Sequence, residues 1–168
     1  MSPERRRSLR LALALFAAAL AQSVYANAIQ IRGAQPDFLI LTVILGALFC
    51  DANGGATLGF FAGLLHASLA APPHGGFGSL IVSRTLVGFG IGWLEERVFR
   101  DNPLIALTLV ALGTALADTL FFVFAPQPDI PHWARVLGLT TLYNTVLALP
   151  FYYLFRRLLR PEQAESSL

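Results

Sequence analysis

The chain has 168 residues, 55% of them hydrophobic and only 13% charged, with a formal net charge of +2. An ordinary soluble domain carries about a quarter charged residues, so the composition excludes one and marks an integral membrane protein. All twelve cationic side chains are arginine, and Cys50 is the single cysteine, which leaves no disulfide framework and no cysteine-based metal pattern.

A basic head, residues 1–10, runs directly into an apolar stretch from Leu9 to about Ala28, long enough to cross roughly 30 Å of hydrocarbon. This is predicted helix one; its rival reading is a cleaved signal peptide with Ala26-Asn27-Ala28 as the cleavage site. Gln22, Tyr25 and Asn27 then lie toward its outer end, and Arg32, Gly33 and Gln35 make a short turn. Pro36-Asp37 suits a helix N-terminus and opens predicted helix two, Pro36 to about Cys50. Asp51, Ala52, Asn53 and Gly54 turn the chain into predicted helix three, about Ala56 to Ala71. Both helices are short, so a re-entrant hairpin that never crosses is the alternative for this pair.

Pro72, Pro73, His74, Gly75 and Gly76 break the chain before predicted helix four, about Phe77 to Arg97. Arg100 to Pro103 leads into predicted helix five, Leu104 to about Ala125, and the prolines 126, 128 and 131 punctuate the next loop. Predicted helix six runs from about Trp133 to Phe155 and is followed by Arg156, Arg157 and Arg160. Residues 161–168 read as a disordered tail, so residues 1–160 form one six-helix transmembrane domain. With a cytoplasmic N-terminus, the inner segments hold Arg5, Arg6, Arg7, Arg10, Arg97, Arg100, Arg156, Arg157 and Arg160, which is nine of the twelve arginines. Parity and the positive-inside rule therefore agree on six spans with both termini cytoplasmic.

No predicted loop is long enough for a soluble domain, so function falls to the bundle and its rims. The sequence holds no phosphate-cradling Walker loop, no HExxH zinc pair and no GxSxG nucleophile elbow, and His66, His74 and His132 fall in separate segments. A non-enzyme without metal or cofactor is expected. Gly55, Gly59 and Gly63 recur every four residues and Gly88 and Gly92 repeat the device, so each helix presents a face of nearly bare backbone to a neighbour. These five glycines are the candidate docking face for a partner helix.

Arg84 and Asp118 are the one ionisable pair that this reading buries, each about midway along its helix. A charge at the bilayer centre costs about 2.5–3.5 kcal/mol on insertion scales, and pairing reduces it. A mutual salt bridge that fixes helix packing is the plain reading, and a polar cavity for a ligand or proton is the functional one. His66 and Asn144 are further buried polar candidates, each more simply read as a hydrogen-bonded contact between helices. The terminal arginines suit anionic headgroups of a lipid bilayer, with no nucleic acid required.

Pro36-Asp37-Phe38-Leu39, then Gly59-Phe60-Phe61-Ala62-Gly63-Leu64-Leu65, then Thr85-Leu86-Val87-Gly88-Phe89 resemble, in order and spacing, the rod shape-determining protein MreD family. The resemblance is carried by residues 36–96. It implies a subunit of the bacterial inner membrane with no catalytic residues, part of the elongasome for cell shape and peptidoglycan synthesis. Such a subunit binds the single-span protein MreC and is linked through it to MreB, RodA and a class B penicillin-binding protein. It also implies a bundle similar to the substrate-binding subunits of energy-coupling-factor transporters. The alternative is a vitamin-like small-molecule binding subunit of such a transporter, with Arg84, Asp118, Asn144 and His66 lining its pocket.

Overall fold

The computed structural model of the chain describes residues 3–26, 28–70, 76–94 and 102–159. They form six α-helices: α1 (Pro3–Val24), α2 (Phe38–Ala47), α3 (Ala52–Ala70), α4 (Gly76–Leu94), α5 (Pro103–Phe124) and α6 (Ile130–Leu159). The turn expected at 72–75, the charged segment 95–101 and the tail expected at 161–168 lie outside the described residues.

Local chemistry sets the helix starts. Asp51 accepts a hydrogen bond from the Gly54 amide at 3.1 Å, Asn102 from the Leu104 amide at 2.9 Å and Asp129 from the His132 amide at 3.0 Å, each satisfying an orphan donor of a first turn. The residues Ala52, Asn53 and Gly54, expected as a turn, are thus the first turn of α3. Pro131, expected as loop punctuation, lies in the first turn of α6, where its missing amide is no loss.

Three of these helices, α1 from Glu4, α4 and α5, are long and apolar enough to cross a membrane. Their outward faces carry exposed apolar side chains: Leu9, Leu13, Phe16 and Leu20 on α1, Leu86 and Phe89 on α4, Leu112 and Leu116 on α5. In water such continuous faces would drive aggregation, whereas in lipid they are the ordinary exterior. The membrane assignment therefore stands on surface as well as on composition.

α2 is the exception in both length and place. Ten residues give about 15 Å, half the hydrocarbon thickness. Every one of the ten is buried, and Leu39, Ile40, Leu41, Val43, Ile44 and Leu45 have no exposed surface at all. A helix that is apolar all round belongs in a core, and α2 is this one, with the other five helices around it. Gly46 makes room for the crowding at its far end, since a β-carbon there would sit 2.6 Å from Leu58, 3.1 Å from Leu11 and 3.6 Å from Phe155.

The segment between α1 and α2 folds back on itself. Arg32 (φ 52°) and Gly33 (φ 88°) are the two central residues of a tight turn closed by paired bonds between Ile31 and Ala34 at 2.8 and 3.0 Å. Positive φ at both central positions is the requirement of a type I′ turn. Ala26 and Ala34 are buried, and Tyr143 on α6 donates to the Ile29 carbonyl at 3.1 Å. This folded segment delivers Pro36 and Asp37 into the interior.

α3 and α4 pack backbone to backbone. A methyl group on Gly55 would run into the Gly88 carbonyl, and one on Gly59 into the Arg84 carbonyl. On Gly63 it would come 2.6 Å from Ile81 Cα, and on Gly92 2.5 Å from the Asp51 carbonyl oxygen. The expected docking face is thereby corrected: Gly55, Gly59, Gly63, Gly88 and Gly92 are buried in the contact between α3 and α4 inside this chain. Sequential antiparallel helices with complementary small faces close on each other before any other partner can reach them.

Candidate functional site

The N-terminus of α2 is where the polar groups of the bundle meet. Asp37 is its N-cap, with Oδ1 accepting from the Ile40 amide at 2.9 Å, so one oxygen is committed to the helix. The other, Oδ2, accepts from Arg84 Nη2 at 2.9 Å. The Asp37 amide donates to Asn144 Oδ1 at 3.0 Å, and its carbonyl takes the Leu41 amide at 3.1 Å with Asn144 Nδ2 at 3.4 Å. Every polar atom of Asp37 is therefore met by the protein itself.

Each of the other helices supplies a group to this point. Gln22 on α1 accepts from the Phe38 amide at 2.8 Å and donates to the Pro36 carbonyl at 3.3 Å. His66 on α3 brings Nδ1 to 3.4 Å from Asp37 Oδ2. On α4, Ser83 accepts from Arg84 Nη1 at 3.0 Å, and on α5 Thr114 accepts from Asn144 Nδ2 at 3.3 Å. Asp118, one turn further along α5, lies 3.5 Å from Arg84 Nη2. Arg84 is 2% exposed and Asn144 fully buried, about midway along α4 and α6.

The glycine seam positions the central cation. Gly59 faces the Arg84 carbonyl, so α4 lies close against α3 while the Arg84 side chain reaches across to α2. The expected pair of Arg84 and Asp118 does meet, but the shorter bond goes to Asp37, and the cluster holds two acids where one was expected. Asn144 links α6 to the α2 cap and to α5. His66 touches the same Asp37 oxygen as Arg84, so the four polar candidates belong to one site.

Asp37 was expected at a helix N-terminus but not as a member of the polar cluster, and Gln22 was placed elsewhere. Gln22 was expected toward the outer end of a span that continued to Ala28, but α1 ends at Val24 and the folded turn carries the chain back beside it. The signal in the sequence was Pro36-Asp37 before the apolar run from Phe38 to Cys50, short for a span and too apolar to lie at a surface.

Chemically the site is an ionic lock with a partly open edge. The side chains of Asp37 and Arg84 are 8% and 3% exposed, those of His66 and Asp118 13% and 22%. Arg84 Nε and His66 Nδ1 are buried without a hydrogen-bond partner. No group of three or more histidine, cysteine or acidic residues placed to hold a metal occurs among the described residues. Comparison with known protein families, with curated proteins and with solved structures finds no match for this chain.

Proposed function

We propose that this chain is a non-enzymatic membrane scaffold of the MreD type, with both termini cytoplasmic, whose ligand is the single transmembrane helix of MreC. The observation that carries the reading is the direction of its polar groups. One polar residue or more from every helix turns inward to the α2 cap, leaving apolar helix faces as the surface offered to the membrane. A fixed bundle with an apolar exterior suits recognition of another helix within lipid.

A second observation supports the shared side of the two termini. Arg10 near the start of α1 donates to the Leu158 carbonyl in the last turn of α6 at 2.9 Å. Arg5, Arg6, Arg7, Arg156 and Arg157 therefore gather at one end of the bundle, as a cytoplasmic face requires. With the glycine seam occupied, the partner helix must engage an outward face.

Solubilisation of membranes in mild detergent and capture of this chain should retain MreC, and through it the synthase. Recovery of the chain without any single-span partner counts against the scaffold. The transporter-subunit reading draws on the open edge of His66 and Asp118. It requires a vitamin-like compound to raise the unfolding temperature, whereas the scaffold reading expects no such shift.

A further inference from the structure

The charges of the cluster do not balance. Among the described residues the titratable groups that face one another here are Asp37 at the α2 cap, His66 on α3, Arg84 on α4 and Asp118 on α5. The groups from α1 and α6, Gln22 and Asn144, carry no charge. Two carboxylates thus share one permanent cation. A net charge buried in a low-dielectric interior is costly, and two carboxylates so close to one guanidinium are the arrangement in which one proton is held jointly.

We propose that this cluster is a proton-binding site that holds one proton, on Asp118 or on His66. The geometry selects those two positions. Asp37 Oδ1 and Oδ2 already accept from Ile40 and Arg84, so a proton there would displace a hydrogen bond. Asp118 is the more distant carboxylate from Arg84, at 3.5 Å against 2.9 Å. His66 Nδ1 lies 3.4 Å from Asp37 Oδ2, where an imidazolium would be drawn to the carboxylate. Asp118 and His66 also form the accessible edge of the site, the side from which a proton arrives.

Binding adds one proton to a carboxylate oxygen or an imidazole nitrogen and takes the cluster from one net negative charge to none. Its release would leave that charge at the one point to which all six helices are tied. The site therefore couples proton occupancy to the packing of the bundle, whatever partner or ligand the outer surface meets.

The test uses the full chain in lipid nanodiscs. Infrared spectroscopy reads the carbonyl stretch of a protonated carboxylic acid, and nitrogen NMR of labelled histidine reads the His66 imidazolium, assigned with His66→Gln. At neutral pH one of the two signatures is expected, and Asp118→Asn should abolish the carboxylic one. Two ionised carboxylates beside a neutral His66 between about pH 5 and 8 overturn the proposal, and this needs only the wild-type chain. Because the native state would bind a proton that the unfolded chain does not, stability should fall as pH rises. Asp118→Asn should lose most of that dependence; a variant that unfolds leaves the wild-type spectra to decide.

Discussion

Arg84 is the residue on which the interior depends most, because among the described residues it is the single permanent cation facing Asp37 and Asp118. Breaking a buried ion pair from one side leaves the other charge uncompensated, which costs about 3–5 kcal/mol. Arg84→Met should lower resistance to denaturant by about that amount, and adding Asp37→Asn should restore part of it, read as a coupling between the two in a double-mutant cycle. Sequence reasoning reached Arg84, Asp118, His66 and Asn144 because polar side chains deep in apolar runs demand partners. It gave Asp37 only as a helix N-terminus, because an N-cap has the same local chemistry at the membrane surface and in a bundle centre. What distinguishes the two is the folded turn at Ile31–Ala34 and the bonds to Gln22 and Asn144, contacts that no local pattern records.

At the scale of elements, the glycines divide by what stands opposite them. Gly59 abuts the Arg84 backbone, whereas Gly78 and Gly90 have nothing within 4 Å of a prospective β-carbon. Gly59→Ala should therefore force α3 and α4 apart, with a loss of about 1–3 kcal/mol and a weakened hold on Arg84. Gly90→Ala, on the same helix as Arg84, should be neutral or stabilising by about 0.5–1 kcal/mol through helix propensity alone. Equal effects of the two changes, measured by thermal unfolding in one detergent, would refute the packed seam. The ladders at Gly55, Gly59, Gly63, Gly88 and Gly92 were legible as close contact, but spacing specifies a small face and not its occupant. The six helices were legible because breakers separate apolar runs. The role of α2 was only half so: its shortness raised the alternative of a segment that never crosses, while its position inside the other five helices arises from long-range packing.

For the whole molecule, polar groups converge inward on the α2 cap, apolar faces point outward, and the arginine-rich ends of α1 and α6 lie together. This arrangement is that of a membrane protein whose interior is committed to its own stability and whose exterior is free for another helix. The proposed partner should then meet an outward face and never the α3–α4 seam. The most direct measurement places a photo-crosslinking residue, one position at a time, at the exposed sites Phe16, Leu86, Leu112 and Leu142, and at the buried Gly63 as a control, in cells producing MreC. The account predicts adducts with MreC from one contiguous outward face and none from Gly63; adducts from no outward position, or from Gly63 in a correctly inserted chain, would contradict it.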